Sequence, residues 1–172
     1  MIYWAPFLHF YQPSTQYHAV LKKVCNESYR PLLKMLIGHP DAKVTVNMCG
    51  VLTEMLNDHG AADVIDDIKQ LAKNKQLEFV DSAKYHPILP LLPEKEIKRQ
   101  IKLNRQTNEY FFKQTYKPKG VFPPEMCYSD EVGRVVRELN YDWLLISGVA
   151  SQGPWPMDFI SEVNYDLSLI HI

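Results

Sequence analysis

The stretch Gly120-Val-Phe-Pro-Pro-Glu125-Met-Cys-Tyr-Ser129-Asp-Glu-Val132 reads as the end of a strand, a stiff connection and the start of a helix. Val121 and Phe122 are β-formers, and Pro123 and Pro124 forbid both a continued ladder and an early helix. Ser129 stands where it can cap a helix over residues 130–139. Glu125 is then held at the carboxyl end of a strand, the edge on which α/β sheets gather their active sites. Catalysis is one reading of such a carboxylate. The other is structural: a solvated loop residue, or a charge that favours the following helix dipole.

Working outward, the same strand-to-helix rhythm recurs. Residues 2–10 form a mostly apolar strand, and an amphipathic helix over 31–37 stops at Gly38. Residues 43–48 give a second strand and 51–57 a helix that ends near Gly60. Residues 61–73 carry Val64, Ile65, Ile68, Leu71 and Ala72 on one helical face. Residues 77–80 make a third strand, and after a proline-marked loop over 84–93 a long helix runs from 94 to 116, with Ile97, Ile101, Phe111 and Phe112 turned inward. Val121 and Phe122 form strand four, and 143–147 strand five. Strands separated by helices imply an α/β fold with a parallel sheet and right-handed crossovers. A closed (β/α) barrel takes roughly 250 residues, so about five parallel βα units in 172 residues predict a barrel truncated at its C-terminus.

The composition is that of a globular chain: 46% hydrophobic, 23% charged, net charge −1. No basic run interleaved with aromatics offers a footprint for nucleic acid or an anionic membrane, and no segment approaches the ~18 apolar residues of a membrane span. Cys25, Cys49 and Cys127 are odd in number and lack metal-finger spacing, which points to free thiols in a reducing, cytoplasmic compartment. The last residues, Leu167-Ser-Leu-Ile-His-Ile172, match what CTG-TCT-CTT-ATA-CAC-ATC encodes, a string like the transposon end used in sequencing libraries. Residues 1–166 are therefore expected to be the native barrel part and 167–172 a non-native tail, the alternative being an apolar terminal strand.

Several side chains fit chemistry at the sheet edge. In His9-Phe-Tyr11-Gln12-Pro13, strand alternation puts His9 and Tyr11 on one face, and Pro13 ends the ladder just beyond. Imidazole, phenol and amide groups suit sugar hydroxyls, although a lone His in an apolar setting is commonly a satisfied core residue. Glu78, in Leu-Glu78-Phe-Val, is either a cleft carboxylate or an edge residue facing water. His86 lies in the proline-rich run 85–93, which is expected to fold over the sheet end. Asp66, Asp67, Asp130 and Glu131 suit solvated or N-terminal helix positions, and His39 and His59 suit helix ends. The glycine-rich phosphate loops, the GxSxG elbow and HExxH are missing.

Together these segments resemble the catalytic domain of glycoside hydrolase family 57. His9-Phe-Tyr-Gln-Pro13 is similar to the family's first-strand His-x-His-Gln-Pro motif, with Tyr11 in place of its second histidine. Glu78 and the Tyr85-His86-Pro87 turn are similar to the family's third-strand acidic segment and the loop after it, and Gly120 to Glu125 resembles the nucleophile segment. The resemblance implies a (β/α)7 barrel, incomplete here, and a retaining hydrolase or glucanotransferase acting on α-glucans or maltooligosaccharides. Glu125 would be the nucleophile, with His9, Tyr11, Gln12, Glu78 and His86 as substrate contacts and no metal or organic cofactor. Trp143, Trp155 and Tyr128 are candidate sugar-stacking surfaces, a core role being the alternative for Trp143. The family's general acid/base aspartate has no counterpart. Asp142 follows the nucleophile helix too soon, and Asp158 and Asp166 lie in loop-like or terminal sequence. The competing readings are a metal-dependent polysaccharide deacetylase of similar architecture and a non-catalytic carbohydrate-binding protein.

Overall fold

The computed structural model describes residues 5–147 in full and, beyond them, the backbone of two strands, Ser161–Val163 and Leu167–His171. The chain runs β1 (Phe7–Phe10), α1 (His18–Val24), a π-helical turn (Cys25–Tyr29), α2 (Arg30–Ile37), β2 (Val44–Met48), α3 (Gly50–Asp58), α4 (Ala62–Lys73) and β3 (Leu77–Val80). It continues with α5 (Glu94–Phe112), β4 (Gly120–Val121), α6 (Asp130–Glu138), β5 (Trp143–Ile146), β6 (Ser161–Val163) and β7 (Leu167–His171).

The first five strands are parallel neighbours in sequence order. β1 pairs with β2 and β2 with β3, in a register that aligns His9, Asn47 and Val80. A single bridge, Asp81 to Val121, joins β3 to β4: Asp81 N–H donates to Gly120 O at 2.9 Å and Phe122 N–H to Asp81 O at 2.8 Å. β4 pairs with β5 and β5 with β7, again parallel, while β6 runs antiparallel to β7. Residues 167–171, read from sequence either as a non-native tail or as a terminal strand, thus take strand geometry beside β5.

Alternation along each strand separates two faces. Phe10, Val44, Val46, Met48, Leu77 and Phe79 join the buried residues of α1–α4 in one core, and Val121, Leu144 and Ile146 join α5 and α6 in a second. Among the described residues, the opposite face carries a small apolar cluster of Val80, Phe122 and Leu145, with Phe7, Met126 and Trp143 against it. Helices therefore cover one side of the sheet, where burial of each Leu, Ile or Val contributes roughly 1.5–3 kcal/mol, and the other side is left for polar groups at its rim. Gly120 is needed here: a Cβ would come within 2.1 Å of the Trp143 indole lying over it.

The helices follow the apolar period closely, with two differences. The segment His18–Tyr29, given no element from sequence, is helix and π-turn. Its buried Leu21, Cys25 and Tyr29 recur every four residues, and the wider π-turn keeps them on one face ahead of Leu33. The long helix stops at Phe112 rather than 116, because Lys113 turns left-handed (φ 53°) and the Thr115 hydroxyl caps the Phe112 carbonyl at 2.6 Å. Ser129 caps α6 as expected, accepting from the Val132 N–H at 3.4 Å. His39 closes α2 through Nδ1 to Met35 O at 2.7 Å. Cys25, Cys49 and Cys127 are free, and no helix among the described residues is long and apolar enough to cross a membrane.

Candidate active site

Three chain reversals at the carboxyl ends of β1, β3 and β4 bring the candidate groups together. Glu125 occupies a turn of 3-10 helix over Pro124–Met126, entered through the two prolines, with φ 57° and ψ 18°. Left-handed backbone is uncommon for a residue with a side chain, and Met126 (φ 53°) and His86 (φ 56°) share it. The turn is tied on both sides: Ser82 Oγ donates to Phe122 O at 2.8 Å, and the Ser147 N–H to Met126 O at 3.3 Å.

Around Glu125 stands a group of rings. His86 Nδ1 lies 3.9 Å from Glu125 Oε1, with the histidine side chain 7% exposed and the glutamate 66%. Tyr11 stacks on His86 at 4.1 Å between centroids, His9 lies 5.0 Å from His86, and Phe122 packs under His9 at 5.1 Å. His9 keeps a face open to solvent, yet its walled ring is desolvated enough to hold its imidazole below the usual 6.5, against the opposing effect of its hydrogen bond to Asn47 Oδ1. Burial first, then the neighbouring His9, push His86 down as well, against the pull of Glu125. His86 Nε2 is buried with no hydrogen-bond partner among the described residues. The arrangement is a carboxylate beside two imidazoles held toward the neutral form, with a phenol alongside. Such groups bind hydroxyls and carry a nucleophile.

Gln12 and Glu78 are not brought into this group. The Gln12 amide is turned toward the helices, accepting from Gln16 Nε2 at 2.9 Å and lying beside the Tyr29 hydroxyl. Glu78 shares the inner face with Val80 but sits two residues earlier, about 7 Å nearer the amino end of the strand. There it is exposed, in a depression of about 320 Å³ lined also by Lys43, Thr45 and Lys75. Trp143 begins β5 at that same amino end, packed over Gly120, and Asp142 precedes it, so neither reaches Glu125. Tyr128 packs against the first turn of α6, its hydroxyl 3.4 Å from Asp130 Oδ1. Trp155, Asp158 and Asp166 lie outside the described residues.

Two residues that the sequence left unread support the rim. Asn47 is fully buried on the inner face of β2 and meets His9 Nδ1 at 2.7 Å. Asp81, also fully buried, points to the helix side and accepts from Asn104 Nδ2 at 2.6 Å, Ser82 N at 2.9 Å, Tyr116 Oη at 3.0 Å and Tyr141 Oη, with Arg105 Nε 3.6 Å away. Desolvation pushes its carboxyl up, and these hydrogen bonds oppose that rise. The signal for both was a polar residue at the carboxyl end of an apolar strand.

The chain as a whole is similar to known proteins. The alpha-amylase of Pyrococcus horikoshii is 31% identical over 139 residues, which is 81% of this chain and 21% of that protein. The 4-alpha-glucanotransferase of Thermococcus litoralis is 30% identical over 139 residues, 81% of this chain and 20% of that protein. The crystal structure of the Thermococcus litoralis 4-alpha-glucanotransferase superposes with a TM-score of 0.86 at 23% identity, covering 98% of this chain and 27% of the other. The chain thus spans about a fifth of the length of the curated relatives it matches. A family model described as glycosyl hydrolase family 57 fits residues 4–169, and the chain belongs to that family.

Proposed function

We propose that this chain carries the nucleophile side of a retaining active site for α-glucans, and that Glu125 is the nucleophile. The observation that carries this reading is the position of the Glu125 carboxylate, on the rim of the sheet, open to solvent and 3.9 Å from the His86 ring that stacks on Tyr11 and faces His9. In such a mechanism the carboxylate attacks the anomeric carbon as the bond to the leaving oxygen breaks, and a second carboxyl group roughly 5–5.5 Å away protonates that oxygen. Water or a sugar hydroxyl then displaces the enzyme, giving hydrolysis or transfer. His9, Tyr11 and His86 bind sugar hydroxyls beside the scissile bond.

The second carboxyl group is assigned to sequence outside these residues, because Asp142 stands at the opposite end of β5. The five βα units are read as part of a seven-stranded barrel wall, since among the described residues the helices cover one face and a doubly wound sheet would cover both. Free cysteines agree with a cytoplasmic setting. Among the described residues no group of His, Cys, Asp and Glu is arranged to hold a metal, so the deacetylase reading has no ligand set there.

The test is Glu125→Gln in an active parent enzyme containing this sequence. Release or transfer of glucose units from maltooligosaccharide is expected to fall at least about a thousandfold, roughly 4 kcal/mol of transition-state stabilisation. An unchanged rate refutes the assignment.

A further inference from the structure

We infer that Asn47 is a positioning residue that fixes His9 as its Nδ1–H tautomer, so that Nε2 faces the cleft as a hydrogen-bond acceptor. The reasoning starts at the other end of the amide. Asn47 Nδ2 lies 3.2 Å from Val80 O and 3.3 Å from Asp81 O. Both partners are backbone carbonyls, which only accept, so the group facing them must be the NH₂. A flipped amide would set its oxygen against two carbonyl oxygens and forfeit both hydrogen bonds, and Asn47 is fully buried, out of reach of bulk solvent.

Asn47 Oδ1 therefore faces His9 Nδ1, at 2.7 Å. An amide oxygen has no proton to give, so the proton between them belongs to the imidazole. In the neutral ring Nε2 is then left with its lone pair. The register makes this a built arrangement: His9, Asn47 and Val80 are aligned partners on three adjacent strands, so the amide bridges from one side of β2 to the other at a single level.

The consequence deepens the proposed function and rests on it only for the nature of the ligand. His9 accepts a hydrogen bond from a sugar hydroxyl that donates, and it selects for a free hydroxyl over an O-methylated or deoxygenated position. With the opposite tautomer it would select instead for an acceptor oxygen.

The experiment is nitrogen-15 NMR of the full chain labelled at histidine, near pH 8, with the His9 signals identified by their loss in His9→Gln. In the native protein His9 is expected to show a protonated Nδ1 and a bare Nε2. Asn47→Leu, which removes the acceptor, moves the majority of His9 to the Nε2–H form. A native His9 protonated at Nε2 overturns the inference by itself, whether or not the variants fold, and so does a folded Asn47→Leu protein with an unchanged His9 pattern. Because the readout is independent of turnover, a Glu125→Gln enzyme with full activity would sink the catalytic reading while leaving this tautomer assignment standing.

Discussion

Replacing Glu125 with glycine should stabilise the protein relative to replacing it with alanine, even though both remove the proposed nucleophile. Glu125 sits at φ 57°, ψ 18°, where an L-residue bears roughly 1–2 kcal/mol that glycine does not. Its side chain is 66% exposed, and its neighbour His86 is held toward the neutral form, so above neutral pH truncation forfeits little. Glycine gives back roughly 0.5–1 kcal/mol through the entropy of the unfolded chain. The difference between Glu125→Gly and Glu125→Ala is therefore about 0.5–1 kcal/mol in favour of glycine. With a urea m-value of about 2 kcal/mol/M, circular dichroism should place the glycine midpoint roughly 0.3–0.5 M above that of alanine. A glycine variant at or below alanine would refute the left-handed assignment. It would also remove the reason for regarding this turn as strain kept for function rather than for folding.

Other expectations follow from the buried titratable groups. The folded pKa of His86 lies below its unfolded value of 6.5, so below that pH the unfolded chain binds a proton that the folded chain resists. Stability is then complete above about pH 6.5 and falls as pH drops, with a limiting slope of ~1.4 kcal/mol per unit for this group. Urea midpoints measured from about pH 5 to 8 should show a flatter profile for His86→Gln, and an unchanged slope would sink the attribution. Asp81→Asn should destabilise by about 3 kcal/mol in the same assay at neutral pH, because an amide cannot accept on both atoms from the donors around Asp81 and leaves Arg105 without its counter-charge. A loss under about 1 kcal/mol would show that those hydrogen bonds are dispensable.

Much of this was legible because it is local. The alternation Val44, Val46, Met48 and the mixed three- and four-residue spacing of Val64, Ile65, Ile68, Leu71 and Ala72 specify their elements within one stretch of chain. Pro13, Pro87 and the pair Pro123-Pro124 mark where strands or loops must break, and the groups beside them, His9, His86 and Glu125, are those that meet at the rim. The helix at His18–Tyr29 was hidden because its apolar residues keep a spacing of four, which suits a π-turn better than an ordinary helical period. Glu78 was ambiguous because alternation fixes the face of a strand but not the distance to its end, and the end is what separates it from the site. Asn47 and Asp81 were harder to read for a different reason: apart from Ser82 their partners lie at sequence separations of 23 to 60 residues, and a polar residue at the end of an apolar strand is their one local mark.

Asp81 explains how a rim of short strands stays in place. β4 has only Gly120 and Val121, too few ladder bonds to fix the turn that follows. The backbone of Asp81 supplies the link, donating to Gly120 O, accepting from Phe122 N–H and receiving the Asn47 amide, while its side chain is held from behind by Tyr116, Tyr141 and Asn104. One residue therefore ties the strand that orients His9 to the strand that delivers Glu125, and its carboxylate is locked in the helix layer where no ligand reaches. A buried charge is expensive to keep, and hydrophobic residues would pack that layer at lower cost. What the charge adds is direction. Several donors converge on its oxygens, so the peptide on its other side has a single position, and the relative placement of the proposed nucleophile and an imidazole on different strands tolerates errors of only about half an ångström.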